Sequence, residues 1–269
     1  MEDLSNKVYY TNPDINYIVG EYVTEYDISK AGPSALLQSG CIDQKTFDFL
    51  LSLSRESRQI KTGLLIRDNP EFEAKRKRAI ADARNSFMQI NELSEDNIVS
   101  IKNDAIFVTG AQPKYLDFNM MHFVPKHSYT SYYNVNKTEI YYYFNQVTNE
   151  EHCDIKGISD SVIPLLDKGI LDFLKFLFQL AQTGRVANVI PVIQEFNDRY
   201  IRRELDLEYY REFNSACSFK LNTISDYSVY RADMLPLEIN KNDLDISYNL
   251  NIIRQFYKIY SKMYFDGIK

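Results

Sequence analysis

The run Ile98-Val99-Ser100-Ile101-Lys102-Asn103-Asp104-Ala105-Ile106-Phe107-Val108 constrains the fold more than any other stretch. β-Branched and aromatic residues flank a single acidic side chain. Such a run belongs inside a sheet, as one strand or as the two arms of a hairpin. An interior carboxylate is costly unless it is paired or holds a metal ion. Two readings of Asp104 are therefore open. It is a buried metal ligand, or Lys102-Asn103-Asp104 is a plain hairpin turn, where Asn and Asp are at home.

A second lone acid stands in a comparable setting. Glu21 to Ile28 is rich in Tyr, Val and Thr and reads as a strand that carries Asp27 near its end. A helix from Pro33 to Ser39 follows, and Gly40 ends it, with Pro just inside the start and Gly just past the end. Asp27 either caps the intervening turn or offers an oxygen ligand to Mg²⁺ beside a phosphate.

The remaining chain sets these two stretches in order. Residues 1–20 read as an irregular or short-strand lead-in, with a turn at Asn12-Pro13-Asp14. Asp43 N-caps a helix through Leu53, whose apolar side is Phe47, Leu50, Leu51 and Leu53. Ser54 caps the next helix, which bears Arg55, Arg58 and Lys61 at intervals of three. Asn69-Pro70 breaks the chain before a helix over Glu71–Asn91, with Ile80, Ala83, Phe87 and Ile90 as its apolar stripe. Strands follow to Thr148, Glu139 to Val147 among them, then a turn at Asn149-Glu150-Glu151 and a returning strand over Cys153–Ile158. From Ser161 to Glu212 the pattern is helical, Ser225 to Asn242 is irregular, and Asp243 to Phe265 is a last helix. This order gives an α+β fold: a mainly antiparallel sheet with helices on one face over 1–160, carrying a short helical insertion at 40–73, then a mostly helical module over 161–269.

Composition removes several function classes. A formal net charge of -6 argues against coating nucleic acid through bulk charge. Local basic groups remain as candidates for such contacts. Lys75-Arg76-Lys77-Arg78 forms one, and Arg199, Arg202 and Arg203 among Tyr200, Tyr209 and Tyr210 form another. The first also reads as a solvated helix face, and Glu204, Asp206 and Glu208 compete for the arginines of the second. The cysteines at 41, 153 and 217 have no paired spacing and suggest reduced thiols. The polar start carries no apolar signal region, and no run approaches the roughly 20 apolar residues of a membrane span. There is no glycine-rich phosphate loop and no Cys/His or GxSxG nucleophile pattern.

Together the two acidic stretches resemble the palm domain of family-B DNA polymerases. Motif A of that family carries an Asp, a turn, and Pro-Ser at offsets that Asp27, Pro33 and Ser34 match, with Leu36 and Leu37 following. In motif C the second Asp aligns with Asp104, and Ile106-Phe107-Val108 continues as the family does. The helix over Arg76–Leu93 resembles the one leading into motif C. Tyr141–Tyr143 and Lys156-Gly157-Ile158 resemble the hairpin that approaches the primer-template. Insertion 40–73 then stands for the fingers and the C-terminal module for the thumb. The chain departs from the pattern in three places. Lys102 replaces the first Asp of motif C, Gly32 stands where a bulky residue usually blocks a ribose 2′-OH, and the Lys-bearing fingers motif is missing.

The resemblance implies a reduced, phage- or virus-like nucleotidyltransferase, of a minimal DNA/RNA polymerase or primase type. Asp27 and Asp104 would hold Mg²⁺ or Mn²⁺ for two-metal phosphoryl transfer. Gly32, Arg55, Arg58 and Lys61 would face a nucleoside triphosphate, and Gly32 implies weak discrimination against ribonucleotides. Lys75, Arg76, Lys156, Arg199 and Arg202 would contact a primer-template or single strand. The setting would be host cytoplasm, without membrane association. The alternative is a catalytically inactive palm-like phage protein that binds nucleic acid or a replication or transcription partner. An unrelated viral interaction or assembly protein is the remaining class.

Overall fold

The computed structural model describes residue 4 and residues 7–158, 163–166, 169–182, 186–213, 218–222, 227–231, 241, 244 and 246–267. It is an α+β protein with an antiparallel sheet and a helical C-terminal region. The chain forms two compact units, residues 1–15 with 22–128, and residues 16–21 with 129–269. This is a different partition from the compositional one at residue 160.

In the first unit, β1 (Tyr9–Thr11) leads to β2 (Tyr17–Ile28), whose first residues belong to the second unit. The strand begins four residues earlier than the sequence suggests. Gly20 breaks the β-forming run there, yet its φ of 85° is absorbed within the strand. The helices α1 (Ala31–Gln38), α2 (Gln44–Ser52), α3 (Arg55–Asp68) and α4 (Glu71–Ile90) follow. Their boundaries have local causes. Asp43 accepts a hydrogen bond from the Thr46 amide at 2.8 Å, and Ser54 accepts one from Ser57 at 3.3 Å. Gly40, with φ of 67°, follows the end of α1. Of the apolar side expected on α2, only Leu50 is buried.

Next come β3 (Ile98–Lys102) and β4 (Ala105–Thr109), a hairpin in which Lys102 pairs with Ala105. Asn103-Asp104 is thus a two-residue turn, and Asn103 takes the left-handed φ of 57° that Asn tolerates. The short β5 (Asp117–Phe118) pairs with the start of β6 (Met121–Val135). The strands lie in the order β1-β3-β4-β2-β6. Their core joins Tyr26 and Ile28 of β2, Ile101, Ile106 and Phe123 to Ala79, Ile80, Ala83 and Phe87 of α4. Phe87 is stacked on Phe123 at 4.4 Å and lies 5.4 Å from Tyr26. Ile90, expected on the same stripe, is 51% exposed. Here the helix ends, and Asn91 turns back to donate to the carbonyls of Phe87 and Tyr115.

In the second unit, β6 continues to β7 (Thr138–Asn145) and β8 (Glu150–Lys156) in antiparallel pairs. Asn149, with φ of 55°, makes the turn, so Glu150 and Glu151 already belong to the returning strand. Tyr132, Tyr133, Tyr141 and Tyr142 are fully buried on β6 and β7. Tyr132 and Tyr141 both donate to Glu139 at 3.3 Å, and Tyr133 accepts from Tyr260 at 2.8 Å. Burial raises the phenol pKa values of Tyr132, Tyr133 and Tyr142 far above the ordinary range. The helical region follows as α5 (Ile163–Leu166), α6 (Ile170–Gln182) and α7 (Val186–Ile201). A hairpin, β9 (Ser218–Asn222) with β10 (Tyr227–Arg231), then precedes α8 (Ser247–Phe265). The stretch expected to be irregular therefore contains a strand over Tyr227–Arg231, whose β-forming Tyr227, Val229 and Tyr230 suit pairing with β9. Most of the rest of that stretch, Cys217, and Asp243 lie outside the described residues.

Candidate active site

Strand pairing brings the two lone acids together. β2 and β4 run antiparallel with Asp27 opposite Ala105, so Asp104 is the next residue along, and its carbonyl accepts from the Ile28 amide at 3.4 Å. Tyr26 and Ile28 belong to the helix-covered core, so Asp27 between them points to the other face. Asp104 reaches the same place from the hairpin turn. The turn and the metal-ligand readings of Asp104 are thus compatible: the turn is what carries the carboxylate to the end of the sheet. Burial, and then the Asp27 charge, raise the Asp104 pKa above the ordinary carboxylate range, while Lys126 and Arg76 oppose this.

Both acids line a cleft of about 550 Å³ that lies wholly within the first unit. Against them stand Lys30, Arg55, Arg58, Arg76 and Lys126. Lys126, on β6, forms an ion pair with Asp27. Arg76 makes a two-pronged contact with Glu73, with both hydrogen bonds at 2.9 Å, and still borders the cleft. α3 presents one face to the cleft, running Arg55, Arg58, Gln59, Thr62, Gly63, Ile66. These positions follow the helical period of i, i+3, i+4, i+7. Lys61 is three residues after Arg58 but falls off that face and is exposed, because steps of three drift around a 3.6-residue helix.

Gly32 has a specific neighbour. A Cβ built there would lie 3.2 Å from Cγ2 of Thr62, so the missing side chain lets α3 approach α1 closely. Thr62 is itself buried, and its hydroxyl finds no hydrogen-bond partner. Arg84 of α4 is 2% exposed, and its Nε and Nη1 also lack partners. Burial lowers its pKa to about 10, and the Asp104 charge opposes that fall.

Mg²⁺ and Mn²⁺ favour oxygen ligands, and Mg²⁺ commonly takes only one or two protein carboxylates beside substrate phosphates. Among the described residues, no three His, Cys, Asp or Glu side chains gather at a metal-binding spacing. A carboxylate pair facing a cation-lined cleft still fits an ion that arrives with a phosphate. Asp27 and Asp104 would hold it, and the substrate would supply further oxygens.

The other residues singled out in the sequence lie elsewhere. Lys75 is exposed on α4, outside the cleft lining. Lys102 donates to Thr11 Oγ1 at 3.0 Å and does not line the cleft. In the second unit, Lys156 pairs with Asp154 at 2.5 Å and lies 5.9 Å from the Tyr141 ring centre. Arg199 borders a smaller cleft of about 320 Å³, together with Phe173, Phe196, Tyr209 and the acids Asp172, Glu204 and Asp206. Arg202 pairs with Glu204 at 3.1 Å. Sequence reasoning missed Lys30, Lys126, Thr62 and Arg84. Lys126 stands between Pro125 and His127 with no local pattern to mark it.

Fold and site define an α+β protein with an acidic pair in a cation-lined cleft. The chain belongs to the family described as the Bacteriophage PBS1 gene 130 protein, which it matches over residues 1–262, and it is therefore a phage protein. No curated protein matches it. Among the described residues, no helix is long and apolar enough to cross a membrane.

Proposed function

We propose that the cleft of the first unit is the nucleotide site of a minimal, palm-like, template-dependent nucleotidyltransferase. The observation that carries this reading is the pairing of β2 with β4, which sets Asp27 and Asp104 side by side in the lining of a cleft rich in Arg and Lys. Such a cleft suits a polyphosphate, because charge-assisted hydrogen bonds from guanidinium groups are strong and directional. Asp27 and Asp104 would hold Mg²⁺ or Mn²⁺. When bound, the metal would neutralise developing charge on the transferring phosphoryl group and raise the acidity of the attacking hydroxyl. Arg55 and Arg58 on α3 would bind the phosphate chain and orient it. Lys75, Arg76, Lys156, Arg199 and Arg202 are the proposed nucleic-acid contacts, and the proposed setting is the host cytoplasm.

The test is incorporation of labelled nucleotides on primed and unprimed templates, with Mg²⁺ or Mn²⁺, by wild type, Asp27→Asn and Asp104→Asn. Metal-dependent incorporation that both substitutions abolish is the expected result, with ribonucleotides accepted as well as deoxynucleotides. Equal residual incorporation in all three proteins would mean a contaminant and would remove the reading.

One observation favours a second reading. Lys126 occupies Asp27 in the same way that a structural ion pair would. A non-catalytic palm-like phage protein that binds nucleic acid or a replication or transcription partner would keep such a pair. That reading expects salt-sensitive nucleic-acid binding, unchanged by Asp104→Asn, with no incorporation by wild type.

A further inference from the structure

Lys126 of β6 and Asp27 of β2 are partners in an ion pair, and both residues line the cleft. Each is a group that one of the proposed ligands needs: a carboxylate for the metal and an ammonium for the phosphate chain. While they hold each other, neither is free for its ligand. Asp104 does not share this constraint to the same degree, because its carboxylate accepts from the neighbouring Asn103 amide at 3.1 Å.

We propose that Lys126 is a phosphate ligand masked by Asp27, and that this ion pair makes metal and polyphosphate bind cooperatively. The inference rests on the nucleotide-site reading above and assigns within it a role to a residue outside motifs A and C. A divalent cation arriving alone must displace the ammonium from Asp27. A polyphosphate arriving alone must draw Lys126 away and leave the carboxylate unpaired. When both arrive, the metal takes Asp27, the phosphate takes Lys126, and the cost of parting the pair is met once instead of twice. Linkage then requires each ligand to favour the other's binding.

The experiment is calorimetric titration of the full chain with Mn²⁺ alone and, without metal, with tripolyphosphate alone. Neither assay needs template, primer or turnover. Lys126→Met should bind Mn²⁺ about two- to fivefold more tightly than wild type, the range set by loss of a part-exposed ion pair. Asp27→Asn should bind tripolyphosphate more tightly by a similar factor. Removing one negative charge would also help an anion in general, so the double variant Asp27→Asn/Lys126→Met decides the point. The gain from Asp27→Asn should shrink in the Lys126→Met background to that general charge effect, whereas Asp104→Asn should gain equally in both backgrounds. Lys126→Arg keeps the cation and should behave as wild type, which separates the ion pair from damage to the fold. An additive cycle, with the Asp27→Asn gain undiminished without Lys126, overturns the masking. Failure of wild type and every variant to bind either probe overturns the nucleotide-site reading as well.

Discussion

Phe87 joins α4 to the sheet that carries both acids, so Phe87→Ala tests how far the site depends on that packing. The ring is 0% exposed and contacts Phe123, Tyr26 and Phe118 with centroids at 4.4, 5.4 and 6.1 Å. Removing it forfeits its transfer from water, its aromatic contacts and the filling of the space it leaves. Phe→Ala changes in such cores cost about 3–5 kcal/mol. That is a large part of the roughly 5–15 kcal/mol by which domains are stable. At about 2–4 °C per kcal/mol, the midpoint of the affected transition should fall by roughly 6–20 °C. Ile90→Ala, one turn further along the same helix and 51% exposed, should cost about 1 kcal/mol or less. Thermal and urea denaturation of the two variants side by side would measure the contrast. Equal losses would show that α4 is not seated through Phe87, and the placement of Tyr26, beside Asp27, would lose its physical basis.

Other consequences are smaller and separable. Because burial and Asp27 raise the native Asp104 pKa, the native state holds this proton more tightly than the unfolded chain. The associated stability is present below the ordinary carboxylate range and is lost as pH rises through the raised native value. Asp104→Asn removes that decline, so its stability relative to wild type should increase as pH rises above the ordinary carboxylate range in urea denaturation, and the opposite trend would refute the assignment. Thr62→Val replaces a buried hydroxyl that lacks a partner and should raise stability by up to about 1 kcal/mol by the same assay; a clear loss would mean that the hydroxyl is satisfied. Asn12 donates to the carbonyls of Glu95 and Ile98, both at 3.1 Å, and accepts from the Asp14 amide at 3.0 Å. Asn12→Ala should therefore cost about 2 kcal/mol, and a neutral result would show that solvent reaches those groups.

Local features were legible where chain chemistry decides them locally. Asp43 and Ser54 were readable as caps because a side-chain oxygen three residues before an amide acts without tertiary help. The α4 stripe was readable to Phe87 but not to Ile90, since periodicity shows which face is apolar and not where its cover stops. Asp27 and Asp104 were readable as candidates because a lone acid in a β-rich run is costly to bury. Their adjacency depends on which strands pair, and that the run of residues does not state. Lys126 was invisible for the same reason: its partner is reached only through the neighbouring β2 and β6 strands. Lys61 was drawn into the site by a spacing of three, and the true helical period removed it in favour of Thr62.

The buried tyrosines of β6 and β7 have a spectroscopic consequence. The chain contains 21 Tyr and no Trp, so its near-ultraviolet signal is essentially a tyrosine signal. Tyr132, Tyr133 and Tyr142 are kept protonated well into the alkaline range by burial. An alkaline absorbance titration should therefore separate a reversible phase from surface phenols and a later phase that requires the second unit's strands to open. The protein thus carries an intrinsic chromophore that reports opening of one unit, with no label attached.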